Sequence, residues 1–137
     1  MTTSAQTELI HKALDGFAIE IPSWGFANTG TRFGKFIQDS AATTTEEKLN
    51  DAGQVNLFTA CCPSVATHVL WDFPEGLKST AEVIALAKKA GVRLGAINPN
   101  VFQDQIYKNG SLGNPDADIR KAALNHILDC IEIGKQT

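Results

Sequence analysis

An α/β fold with a parallel sheet is what this 137-residue sequence predicts, and three observations predict it. Short β-branched segments alternate with amphipathic helical ones. The helical segments carry cap residues at their ends. The second and third strand segments begin at positions 64 and 92, near the roughly 30-residue repeat of a compact βαβ unit.

Each element follows from its own pattern. Leu9, Ile10, Ala13 and Leu14 recur at helical spacing, so the chain opens with an amphipathic helix. Phe17 to Trp24 reads as a buried strand closed by Pro22, and a long polar loop with several glycines runs from Gly25 to Ala42. A helix begins at Thr43 or Thr44, where Glu46 and Glu47 stand three residues on, the spacing of a capping box. Leu49, Ala52, Val55 and Phe58 form its apolar face. Ser64 to Trp71 is β-branched and bounded by Pro63 and Pro74, which predicts the second strand. The next helix carries a capping box at Ser79 and Glu82, a face of Val83, Leu86, Ala87 and Ala90, lysines at 88 and 89 that suit the helix dipole, and Gly91 as terminator. Val92 to Asn98 is the third strand. Asn114-Pro115 then predicts an N-cap and first turn for a last long helix with Ile119, Ala123, Ile127 and Ile131 on one face. Three strands leave two open sheet edges and little core, so the pattern predicts less than a whole domain.

Composition narrows the function. Hydrophobic residues make up 43% and charged residues 20%, ordinary values for a globular domain. Twelve basic and 15 acidic side chains give a net charge of −3, which argues against a nucleic-acid binder. No segment approaches the ~20 apolar residues of a membrane span. The start, MTTSAQTELIHKALDG, lacks a positive region followed by an apolar core, so no signal peptide is expected. Three cysteines, two of them adjacent, do not make a disulfide framework. The expected setting is therefore reducing and cytoplasmic.

Candidate chemistry gathers at the C-terminal ends of the strands, the edge where parallel α/β folds bind ligands. Trp24 ends the first strand, His68 to Asp72 end the second, and Asn98 to Asn100 end the third. His68 is the sharpest candidate: an imidazole there can move a proton to or from a sugar hydroxyl or ring oxygen, with Asp72 fixing its tautomer. The competing reading is a core histidine bonded to backbone. Trp24, Phe26, Phe33 and Trp71 could wall a ligand with few charges, or simply fill a core or an interface. His11 and His126 lie on helices and read as surface or core-edge groups. Cys61 and Cys62 have no basic neighbour to activate a thiolate. No Cys-x-x-Cys, His-Glu-x-x-His or EF-hand spacing occurs, and Gly-Phe-Ala-Asn-Thr-Gly is neither a Walker loop nor GxGxxG. Metal and nucleotide sites are thus not indicated by motif.

Three motifs in order carry a resemblance: Ile21-Pro-Ser-Trp-Gly-Phe-Ala-Asn-Thr-Gly-Thr-Arg-Phe33, Thr67-His-Val-Leu-Trp-Asp-Phe-Pro74, and Asn98-Pro-Asn-Val-Phe-Gln-Asp-Gln105. Asn114-Pro-Asp-Ala-Asp-Ile-Arg120 and Asp129-Cys-Ile-Glu-Ile133 accompany them. Together they resemble the N-terminal part of bacterial L-rhamnose isomerases of broad aldose specificity, within the xylose-isomerase-like superfamily, over essentially the whole of residues 1–137.

The resemblance implies the first three βα units of a (β/α)₈ TIM barrel, incomplete in this chain. It implies an aldose–ketose isomerase, typically acting between L-rhamnose and L-rhamnulose, with two divalent metal ions (manganese by preference) and a homo-oligomer, a tetramer when complete. By resemblance His68 contacts the sugar and serves ring opening, Trp24 and Trp71 line the pocket, and Phe33 stands on the long loop that reaches a neighbouring subunit's site. The family's metal ligands come from later strands and have no counterpart among these residues, so the segment alone is expected to be inactive. The alternative is a small non-catalytic α/β sugar-binding module. A reading frame that continues past Thr137 into further strand–helix units with acidic strand ends would favour the enzyme, and a stop codon the module. An endonuclease or epimerase of the same superfamily is disfavoured by the three motifs.

Overall fold

The computed structural model describes residues 3–28 and 37–137. Three strands form one parallel sheet in sequential order: β1 (Glu20–Pro22), β2 (Ser64–His68) and β3 (Arg93–Asn98). Five α-helices accompany them among the described residues: α1 (Ser4–Asp15), α2 (Thr45–Thr59), the single turn α3 (Val69–Asp72), α4 (Thr80–Lys89) and α5 (Ala117–Gly134). No described helix is long and apolar enough to cross a membrane, and the three cysteines are free.

Strand alternation divides the sheet into two faces. Ile21, Val65 and Leu94, on the paired strands, face the helices and meet Leu49 and Ala52 of α2, Val83 and Ala87 of α4, and Cys130 and Ile133 of α5 in one apolar core. Glu20, Ala66 and His68 lie on the other face. There the Glu20 carboxylate reaches over the sheet, and its Oε1 accepts the Ala96 N–H at 3.1 Å, beside the irregular register between Val65 and Thr67.

Local signals decide the helix starts unevenly. At α2 the capping box forms as its sequence requires, with the Thr44 hydroxyl accepting from the Glu47 N–H and the Glu47 carboxylate accepting from the Thr44 N–H. Of the expected α2 face, Leu49 and Ala52 are buried, but Phe58 is exposed because the helix has passed the edge of the core by its last turn. Ser79 is not a cap. A 3₁₀ turn, Gly76–Ser79, runs straight into α4, and the Ser79 hydroxyl instead donates to the Gly76 carbonyl at 2.9 Å. The cap of α5 is Asp116 rather than Asn114; the buried Asn114 carboxamide closes the preceding turn, donating to the Gly110 carbonyl and accepting from the Asp116 N–H. On α5 Ala123, Cys130 and Ile133 are buried, whereas Ile131 is half exposed.

Both strand lengths also differ from expectation. Phe17 and Ile19 are exposed and lie before β1; Ile19 donates to the Cys61 carbonyl at 2.7 Å, so the backbone is tied down outside the ladder. The second strand stops at His68 instead of Trp71, because the chain there turns into α3.

Candidate functional site

β2 ends at a turn made by a carboxylate. Asp72 Oδ2 accepts the backbone N–H of His68 at 2.7 Å, which folds residues 69–72 into one helical turn and brings Trp71 back over the His68 ring. The two rings stack with centroids 3.8 Å apart and an interplanar angle of 17°. Trp24, carried by the 3₁₀ turn Ser23–Phe26 after β1, lies beside the stack at a steep angle to both rings, its centroid 6.2 Å from His68 and 6.1 Å from Trp71. Phe102, from the loop after β3, meets the imidazole edge-on at 6.0 Å. Four aromatic rings from three βα connections therefore converge at the C-terminal end of the sheet.

A buried polar knot holds this arrangement. The Asp72 carboxylate is fully buried and accepts from the Ser23 hydroxyl at 2.5 Å and from the His68 N–H on Oδ2, and from the Lys48 ammonium at 2.8 Å on Oδ1. Lys48, itself only 4% exposed, also donates to the Trp71 carbonyl at 2.9 Å. The Thr45 hydroxyl donates to the Asp72 carbonyl. One carboxylate thus ties α2, β2, α3 and the turn bearing Trp24 together. Asp72 does not bond to the imidazole, and so does not fix its tautomer: both of its oxygens are taken by other donors, and its action on His68 is through the backbone.

His68 is 3% exposed, yet neither ring nitrogen has a hydrogen-bond partner among the described residues. Buried polar groups are ordinarily satisfied, so this ring stands apart from the other polar groups of the site. Burial pushes the imidazole below the usual histidine range; the Asp72 carboxylate opposes this, and His126 and Lys48 add to it. The neutral ring, with one nitrogen as donor and one as acceptor, is favoured near pH 7. Such a ring can take a proton from one ligand oxygen and give one to another.

Of the residues expected from sequence, the structure brings together Trp24, His68 and Trp71. Phe33 lies outside the described residues. Two contributors, Lys48 and Phe102, had not been singled out, and a third, His126, had been read as a surface or core-edge group. Lys48 shares a helical face with Ala52, at i and i+4, which was a signal for a buried lysine; Phe102 lies in the third motif; His126 accepts the Asn100 N–H at 2.9 Å and so belongs to the same end of the sheet. No group of three or more His, Cys, Asp or Glu side chains is placed to hold a metal ion among the described residues.

The chain thus presents an imidazole among aromatic rings at the strand ends of a parallel α/β sheet, a candidate ligand site, and comparison with known proteins adds to this. No family model matches the chain. It is 36% identical over 135 residues to a protein of Mesorhizobium japonicum named a probable sugar isomerase, covering 93% of this chain and 30% of that protein. It is 33% identical over 127 residues to a second protein named a probable sugar isomerase, from Rhizobium meliloti, covering 87% of this chain and 28% of that protein. The chain therefore spans under a third of the length of the curated relatives it matches.

Proposed function

We propose that the chain supplies the sugar-contacting, ring-opening part of an aldose–ketose isomerase of the L-rhamnose isomerase type. His68 carries the reading: a buried imidazole, both of whose nitrogens lack a partner among the described residues, inside an aromatic wall. A cyclic aldose opens when its anomeric hydroxyl loses a proton and its ring oxygen gains one. The neutral His68 ring has an acceptor nitrogen for the first and a donor nitrogen for the second. Trp71, Trp24 and Phe102 offer apolar faces to the C–H side of the sugar, and their exclusion of water strengthens its polar contacts with His68. By resemblance Phe33 belongs to the loop that reaches a neighbouring subunit's site.

The names of the relatives support the isomerase reading, as do the three motifs. Sequential parallel order, β1-β2-β3, is the order of consecutive barrel strands and supports placing these units in a (β/α)₈ barrel. The divalent metals implied by the resemblance have no ligand set among the described residues, so this chain's residues are assigned no metal-dependent step. In the proposed enzyme those ligands come from other strands.

The test is His68→Asn in the protein expressed from its native gene. Positioned proton transfer contributes roughly 10²–10⁴-fold, so turnover of cyclic aldoses should fall by about that range with bound metal unchanged. Normal turnover in a variant of lowered melting temperature would reduce His68 to a core residue, whereas a parent protein that binds aldoses without turning them over would favour the non-catalytic sugar-binding module.

A further inference from the structure

The loop after β3 is held by a histidine on α5. Asn100 is 4% exposed, and its backbone N–H donates to His126 Nε2 at 2.9 Å. Its carboxamide closes a local clasp, with Nδ2 donating to Gln103 Oε1 at 3.0 Å and Oδ1 accepting the Gln103 N–H at 3.2 Å. Phe102 rides inside that clasp. Although its side chain is 66% exposed, its ring meets the His68 imidazole edge-on at 6.0 Å. A chain of contacts therefore runs from α5 through Asn100 and Phe102 to His68. The arrangement also fixes a tautomer: to accept from an amide, Nε2 must keep its lone pair, so the His126 proton resides on Nδ1. The Cys130 sulfur, one helical turn on, stands 3.8 Å from the same nitrogen. Burial pushes its thiol pKa up, with the Asp129 charge adding, so it stays a neutral neighbour.

We propose that His126 is a positioning residue of the sugar site: as an Nδ1–H imidazole it accepts the Asn100 amide and thereby sets Phe102 against His68. The proposal rests on the sugar-handling reading of His68 given above. It assigns His126 no contact with the sugar and no proton of the reaction. An acceptor at the Nε2 position is what the loop requires, because a buried amide without a partner is costly and would draw the loop outward to water.

Two substitutions separate this role from packing. His126→Gln keeps an acceptor oxygen near the Nε2 position, whereas His126→Leu keeps apolar bulk and removes the acceptor. In the protein expressed from its native gene, hydrogen–deuterium exchange across residues 99–104 and the KM and kcat for L-rhamnose are measured for each. His126→Leu should speed exchange of the Asn100 amide at least about tenfold and raise KM by roughly 5–50-fold, with kcat changed far less, as expected from losing one buried hydrogen bond. His126→Gln should restore both to within about threefold of the parent. A packing role predicts the opposite order, with Leu the milder change, and that order would overturn the proposal. So would unchanged Asn100 exchange in His126→Leu, or a His126→Gln protein that exchanges as fast as His126→Leu. Should the Leu variant fail to fold, the Gln variant decides: protected amide and near-parental KM support the role, and fast exchange overturns it. A parent protein that neither binds nor turns over L-rhamnose, while Asn100 exchange still follows the acceptor, would sink the sugar reading and leave the His126 clasp standing.

Discussion

His68 combines near-complete burial with two ring nitrogens that find no partner among the described residues, and the cost of that combination is tolerable because the ring is neutral. Its depressed pKa has a consequence for stability. In the unfolded chain the imidazole titrates near its ordinary value of about 6.5, and in the fold below it. The unfolded state therefore binds more protons in between, so this contribution is full above pH ~6.5 and is lost as pH falls through the folded value. Melting temperature followed from pH 7.5 to 5 should show this loss in the parent and less of it in His68→Asn; parallel curves would remove His68 as the source. Beneath the ring, Lys48 and Asp72 form a buried pair whose members are not separately replaceable. Lys48→Met leaves the Asp72 carboxylate buried and unpaired, which should cost roughly 3–5 kcal/mol. Pairing it with Asp72→Asn should recover much of that loss, though not the orientation of Trp71. Chemical denaturation reads the first effect, and near-ultraviolet circular dichroism of the stacked rings reads the second.

Between elements, α2 packs closely against the end of α4. A Cβ built on Gly53 would lie 2.1 Å from the Ala90 carbonyl oxygen, so the helices approach at a distance only glycine permits. Helix propensity alone says that Gly→Ala should stabilise α2 by up to about 1 kcal/mol. The backbone carbonyl cannot retreat as a side chain would, so overpacking, worth roughly 1–3 kcal/mol, decides the sign. Gly53→Ala should therefore lower the melting temperature, and a rise would mean that α2 and α4 can separate freely. The exposed ion pairs, Lys89 with Glu46 and Lys135 with Glu132, are solvated at both partners and contribute little.

At the scale of the whole molecule, surface exceeds what the mass accounts for. The accessible area is 9252 Å², against roughly 6,900 Å² for a compact monomer of 14.7 kDa. Leu9, Leu14, Phe17, Leu124 and Leu128 all stand in solvent, α1 buries no residue, and among the described residues β1 and β3 each keep an open edge. So much uncovered apolar surface leaves too little core to oppose chain entropy. Expressed as these 137 residues alone, the chain should not unfold as a monomer in one sharp two-state transition, and helices should persist locally. Calorimetry with sedimentation tests this: a monomer whose calorimetric and van't Hoff enthalpies agree would refute it.

The α/β alternation, the parallel strands, the capping box of α2 and the candidacy of Trp24, His68 and Trp71 were all legible from residue order. They rest on periodicity, punctuation and strand-end position, which act over a few neighbours. The failures have one character. Ser79 and Asn114 carry the right cap residue types, yet their side chains close turns, a competition that neighbouring spacing cannot resolve. Asp72 was correctly linked to His68 but to the wrong atom, because the choice between its ring and its backbone depended on Ser23 and Lys48 arriving from elsewhere in the chain. Lys48 was not singled out, and His126 read locally as a surface or core-edge group. Their partners lie 24 and 26 residues away, and only the packing of helices against the sheet brings a buried acceptor or donor within reach of each. A local pattern registers how often a side chain meets water on average; hydrogen-bond partners across the fold are set by tertiary geometry, and at this site they determine which polar groups are spent on structure and which remain for a ligand.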